Sequence, residues 1–201
     1  MITLFSYPAS RNSWKVRQLL QHLGQTYKTV TVDIFQDGDL RAGYRRDINP
    51  TGKVPAIQLE DGRPLAESNA ILVYFAEGSS YLPGDSFDRA RVLQWMSFEQ
   101  EQVESTIGTM RYWKHANQLT RRPKELVEEK RNAARKALGI LDCQLSKHDF
   151  ITGDVYSIAD IAMFAYSTCA EEAEIALEPF PCFRAWVARV EAQSGFLAPP
   201  R

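Results

Sequence analysis

The chain has 201 residues, 44% of them hydrophobic and 24% charged, with a formal net charge of −1. This composition suits a globular protein with a sizeable core, and its balanced charge gives no whole-surface attraction to nucleic acid or anionic membrane. No apolar run approaches the roughly 20 residues of a membrane span. The N-terminus, Met1-Ile2-Thr3-Leu4-Phe5, lacks the basic region and cleavage site of a signal peptide. Three late cysteines without CxxC spacing (Cys143, Cys169, Cys182) fit a reducing cytoplasm.

Ile2 to Tyr7 is apolar and β-rich, the first strand of a core. A loop with several helix-capping residues follows at Pro8–Ser13. Val16, Leu19, Leu20 and Leu23 then recur at helical spacing until Gly24 stops them. Tyr27 to Ile34 reads as a second strand, so the opening is most simply a right-handed parallel βαβ unit. Phe35 to Ile48 is polar and irregular, with one short helix expected near Leu40–Tyr44.

Asn49-Pro50 and Thr51-Gly52 hold the chain in a loop before a strand from Val54 to Leu59. Asp61-Gly62 makes the tightest hairpin signal in the chain, and Glu67-Ser68 leads into a helix over Asn69–Ala76. A proline at position 55 is an odd way to open a strand, since it brings no ladder donor. It makes sense if the backbone just before it pairs with an extended peptide ligand instead of the sheet. The order β-α-β-loop-β-β-α is that of a thioredoxin-like α/β domain over residues 1–78.

Gly78 to Asp85 is the clear linker, with small residues, a proline and two glycines. Beyond it the pattern is all helical, giving a second domain over 86–201. A long helix is expected from Arg89 to Gln118, and a second starts around Pro123, which suits a first turn. A third begins at the capping-box-like Ser157-Ile158-Ala159-Asp160, and a last one carries Phe183, Trp186, Val187 and Val190.

This two-part order resembles the soluble glutathione transferase superfamily, and local motifs carry the resemblance. Tyr7-Pro8-Ala9-Ser10-Arg11-Asn12-Ser13-Trp14-Lys15-Val16-Arg17 is similar to the active-site turn of serine-type (theta-, delta- and zeta-like) and bacterial members. Asn49-Pro50-x-Gly52-x-Val54-Pro55 is similar to their cis-proline loop, and Glu67-Ser68-x-Ala70-Ile71 to their γ-glutamyl-binding turn. Phe150-Ile151-x-Gly153 through Asp160 resembles their C-terminal capping motif. Trp95-Met96-x-Phe98-Glu99-Gln100 and Arg111-x-Trp113 are similar to bacterial members in particular.

The resemblance implies a glutathione-using enzyme that adds the thiolate to a small electrophile, as a cytoplasmic homodimer without a metal. Val54 would pair its backbone with the cysteinyl unit, turned away by a cis Pro55. Ser68 at a helix start would take the γ-glutamyl carboxylate, with Glu67 facing the α-ammonium; the plainer reading of Ser68 is a helix N-cap. Lys53 would pair with the glycyl carboxylate, or is simply a solvated loop lysine. Ser10 would donate its hydroxyl to the sulfur and favour the thiolate, its plainer reading again being an N-cap. Asn12 stands where zeta-like members carry cysteine, which puts their isomerase chemistry in doubt; the resemblance to bacterial members with a hydroxyl residue and an asparagine two apart implies that its amide would be a second donor. Tyr7 is a rival donor.

Arg111, Tyr112, Trp113 and His115 would line the electrophile pocket, or are helix packing residues. His22 and His148 lack partners at metal spacing, the cysteines read as small core residues, and Ser157 and Asp160 as a helix start. Two rival functions stay open: a glutathione-dependent disulfide or peroxide reductase, and a non-catalytic binding module.

Overall fold

The computed structural model describes residues 1–35 and 39–200. Its contacts divide the chain into two compact units, Met1–Glu77 with Ser194–Arg201, and Gly78–Gln193.

In the first unit, β1 (Ile2–Ser6), α1 (Arg11–His22) and β2 (Tyr27–Thr31) form the expected βαβ. β1 and β2 pair in parallel, from Ile2 opposite Tyr27 to Ser6 opposite Thr31. α2 runs Asp39–Asp47, longer than the helix expected near Leu40–Tyr44; the irregular stretch before it lies partly outside the described residues. β3 (Ala56–Gln58) and β4 (Pro64–Ala66) complete a sheet of order β2-β1-β3-β4, and α3 (Ser68–Ala76) follows. β3 pairs antiparallel with β1 and begins at Ala56, opposite Phe5. The expected start at Val54 is two residues early because Pro55 has no N–H to give the ladder.

The sheet buries both faces. Ile2 and Leu4 pack with Val16, Leu20, Ile57 and Ile71 on one side. On the other, Val32, Tyr44, Val54 and Ala56 form a cluster against which Phe5 and Tyr7 pack. Each fully buried aliphatic side chain contributes about 1.5–3 kcal/mol, so these two clusters fix where the ends of β1 and β3 lie.

The second unit is helical. α4 (Ser86–Phe98) starts at Asp85, whose carboxylate accepts the N–H groups of Phe87 and Asp88. Glu99–Gly108 continues it with π-type winding, and α5 (Thr109–His115) ends the run. The single long helix expected here therefore changes its winding midway. Hydroxyls of Ser105 and Thr106 bond the carbonyls of Glu101 and Gln102, which competes with regular helical pairing. Tyr166 packs so close to Gly108 that a Cβ there would meet its ring at 3.0 Å. α6 (Lys124–Leu145), α7 (Ile158–Ser167) and α8 (Pro181–Glu191) follow.

The expected boundaries shift at two places. Residues 78–85 pack within the second unit: Leu82 is buried, and the Tyr81 carbonyl accepts the Ile158 N–H at 3.0 Å. The last residues group with the first unit and not with 86–193, because their backbone is bonded by α1 side chains.

Asp160 is the polar centre of the second unit. It is fully buried and accepts from the Ile151 N–H (2.9 Å), the Ser157 N–H (2.9 Å), the Ser157 hydroxyl (3.2 Å) and the Trp186 indole N–H (2.9 Å). The expected capping box at Ser157 is present. Two of the four donors come from a loop and from α8, so one carboxylate joins three segments.

Candidate functional site

α1 begins where β1 ends, after the turn Tyr7–Ser10. The Ser10 N–H bonds the Tyr7 carbonyl at 3.0 Å, and the Ser10 Oγ caps the helix by accepting the Ser13 N–H at 3.1 Å. That bond uses an oxygen lone pair and leaves the hydroxyl proton available to donate. Arg17, one turn and a half further on, reaches back to Ser6 Oγ at 2.8 Å and toward the Pro8 carbonyl at 3.5 Å. Burial lowers its pKa from the usual arginine value, with Tyr27 opposing that. Arg17 braces this turn, a role with no sequence signal because a lone arginine on a helix has many explanations. Tyr7 packs edge-on against Phe35 with ring centroids 5.6 Å apart.

The loop before β3 is held from both sides. The Asn49 side-chain carbonyl accepts the Thr51 N–H (3.1 Å) and hydroxyl (2.9 Å), while its amide donates to the Lys53 carbonyl at 2.8 Å. The Tyr44 hydroxyl donates to the same carbonyl. Burial pushes the Tyr44 phenol up to about 12, with the Asn49 side chain pulling the other way, so the hydroxyl remains a donor throughout the neutral range. Gly52 sits at φ +68 beneath the Arg45 side chain, a backbone conformation that disfavours other residues. The Val54–Pro55 bond is cis. Val54 buries its side chain, and among the described residues its N–H and C=O take no hydrogen-bond partner. The Lys53 side chain is exposed.

α3 starts at Ser68, and the residue in the N-cap position is Glu67, at φ 70 and ψ 114 with no side-chain cap bond. The plain N-cap reading of Ser68 therefore does not hold. Only 4% exposed, Ser68 donates its hydroxyl to Asn12 Oδ1 at 3.2 Å. That contact brings together Asn12 in the first turn of α1 and the start of α3, 56 residues apart. Two helix N-termini thus meet beside the end of a strand, and such termini favour negative charge.

The four residues expected to line one pocket in the second unit occupy different environments. Arg111 is 6% exposed and pairs with Glu172 at 3.0 Å; His115 lies 3.5 Å from the same carboxylate oxygen. They are four residues apart on α5 and share a face. Tyr112 is 47% exposed. Trp113 is buried, with the Arg122 guanidinium 4.8 Å and the Lys130 ammonium 5.8 Å from its ring centroid. Trp113 is thus a buried ring with two cations over it. Glu172 had no sequence signal, being 61 residues from Arg111 in the chain.

Comparisons with known proteins agree on one family. Residues 9–77 match the family described as "Glutathione S-transferase, N-terminal domain", and residues 101–194 match "Glutathione S-transferase, C-terminal domain". A glutathione S-transferase structure from Pseudomonas fluorescens Pf-5 is 34% identical, with a TM-score of 0.90 over 98% of both chains. A glutathione transferase family member from the same species, solved with two glutathione bound, is 27% identical with a TM-score of 0.78, covering 96% of this chain and 89% of that one. Disulfide-bond oxidoreductase YfcG of Escherichia coli (strain K12) is 28% identical over 96% of this chain and 91% of its own.

Proposed function

Because the chain belongs to the glutathione S-transferase superfamily, we propose that it is a cytoplasmic, homodimeric glutathione transferase that activates the glutathione thiol for attack on a small electrophile. The observation that carries this reading is the Ser68–Asn12 contact, which joins the starts of α3 and α1. Glutathione is an extended tripeptide with a carboxylate at each end and a thiol between. The α3 N-terminus takes the γ-glutamyl carboxylate, to which the Ser68 hydroxyl turns its proton from Asn12 Oδ1, and Glu67 faces the α-ammonium. The unpartnered Val54 backbone pairs with the cysteinyl unit, beside the Pro55 bend, and Lys53 meets the glycyl carboxylate.

Ser10 then donates its free hydroxyl proton to the sulfur, with the α1 N-terminus favouring the anion and Asn12 as a second donor. A thiol of pKa about 8.5 is only a few per cent ionised at neutral pH. Two units of depression, about 2.7 kcal/mol, make most of it thiolate. The thiolate attacks the electrophilic carbon of the second substrate; a C–S bond forms as the leaving group departs with its electron pair. Tyr112 and His115 contact the electrophile. Arg111, already paired with Glu172, positions that face, and Trp113 packs beneath it.

A second reading is glutathione-dependent disulfide reduction, favoured by the similarity to the E. coli disulfide-bond oxidoreductase and by the Ser10/Asn12 pair. There the thiolate attacks a disulfide sulfur and the other sulfur leaves as thiolate. Two assays test these readings. Wild type should be retained on immobilised glutathione and Ser68→Ala should lose about 10-fold or more in affinity, the cost of about 1.4 kcal/mol from a charge-assisted hydrogen bond; unchanged retention contradicts the binding scheme. Turnover of an aromatic halide favours transfer, turnover of a glutathionyl disulfide alone favours the reductase, and turnover of neither removes both.

A further inference from the structure

The C-terminal segment of the described chain lies along α1, on a stripe formed by Trp14, Gln18 and His22. These residues are spaced i, i+4, i+8 and share one helix face. The Trp14 indole N–H donates to the Leu197 carbonyl at 2.8 Å, and the Leu197 N–H donates to Gln18 Oε1 at 2.7 Å. Gln18 Nε2 donates to the Gly195 carbonyl at 3.1 Å and lies 2.8 Å from His22 Nε2. The His22 ring also hydrogen-bonds the Ser194 backbone, and Phe196 stands edge-on to Trp14 at 6.1 Å between centroids.

Gln18 is 0% exposed, and every polar atom of its amide is used. The Leu197 N–H fixes which end of the amide is oxygen, since a donor needs an acceptor opposite it. Gly195 adopts φ +78, and a Cβ on it would stand 3.5 Å from His22 Nδ1. Both sides of this contact are therefore built for it: an amide bonded at its oxygen and its nitrogen on the helix, and a left-handed turn in the tail.

Trp14 is also part of the first turn of α1, its N–H bonding the Ser10 carbonyl at 3.0 Å. From this geometry we infer that residues 194–197 are a strap that holds the N-terminal turn of α1, and with it Ser10 and Asn12, in place. Gln18 and Trp14 are positioning residues in this scheme; they touch the strap and act on the thiol through Ser10. The inference rests on the proposed thiol-activating role of Ser10 only for its activity readout.

The test uses the full chain. In wild type without ligand, the Trp14 indole N–H and the Leu197 amide should exchange slowly with solvent; exchange at the rate of an unstructured tail overturns the strap. Gln18→Leu breaks the contact from the helix side, and Gly195→Val breaks it from the tail side. In each, the amides of Ser13 and Trp14 should exchange about 10-fold faster or more. With glutathione bound, the pH midpoint of the thiolate absorbance should rise by about one unit. Affinity should hold within about threefold, because α3 and Lys53 carry the ends of the ligand and Val54 its middle. Unchanged exchange at Ser13 and Trp14 in a folded variant overturns the inference. An unchanged midpoint beside faster exchange overturns its effect on the thiol. Faster exchange in a protein whose wild type binds no glutathione keeps the strap and removes the proposed function instead.

Discussion

Replacing Asp160 by alanine is expected to destabilise the protein by about 4 kcal/mol, a drop of about 10 °C in Tm for a chain of this size. The side chain accepts four hydrogen bonds at 2.9–3.2 Å in a fully buried place. Alanine leaves the Ile151 and Ser157 N–H groups and the Trp186 indole without an acceptor, at about 1–3 kcal/mol each, with partial relief from relaxation. A loss under about 1 kcal/mol in chemical denaturation contradicts this picture. The pH dependence has a definite sign. Burial pushes the Asp160 carboxyl up to about 6, against the pull of its four donors. A folded-state pKa above the unfolded value makes folding take up a proton. The contribution is fully present below about pH 4 and is lost as pH rises through about 6. The Ser157 hydroxyl lies 3.2 Å from Oδ2 and can turn to accept the extra proton. Asp160→Asn, which cannot titrate, should lack that slope, and an equal slope in both proteins assigns it elsewhere.

Ser10→Ala is expected to reduce kcat/KM by about 10-fold or more, matching about 1.4 kcal/mol or more of thiolate stabilisation lost with its hydroxyl. The same substitution removes the Oγ that accepts the Ser13 N–H at 3.1 Å, costing about 1 kcal/mol of stability. The two effects separate in measurement: the cap loss appears in unfolding, and the donor loss in the ionisation of bound thiol. Ser10→Thr keeps both the cap oxygen and the hydroxyl, and should recover more activity than alanine does. A threonine variant as impaired as alanine contradicts the donor role.

The fold was readable because its signals are local. Periodicity in Val16 to Leu23, the Asp61-Gly62 turn and the Ser157–Asp160 cap each act within a few residues, and each forms the expected kind of element. What lay out of reach depends on side chains meeting across long separations. The Ser68–Asn12 contact spans 56 residues, and the Leu197–Gln18 bond spans 179. Ser68 shows the difference well. Its position at a helix start was legible, but capping and inward donation look identical in sequence, and the structure gives the second. Arg111 and Trp113 show the same limit: their spacing on a helix was legible, but not that Glu172 pairs with the one and Arg122 covers the ring of the other. The change to π-type winding over Glu99–Gly108 was also hidden, because hydroxyls on a helix bond backbone carbonyls only in some rotamers.

The most direct test of thiol activation is the ultraviolet absorbance of glutathione thiolate in the bound state, followed as a function of pH in wild type and in Ser10→Ala. Thiol activation by Ser10 predicts a wild-type midpoint near 6.5, about two units below a free thiol, and an alanine midpoint about one unit higher, the rest of the depression being held by the α1 N-terminus and Asn12. A wild-type midpoint equal to that of free glutathione, or the same depressed midpoint in both proteins, contradicts it.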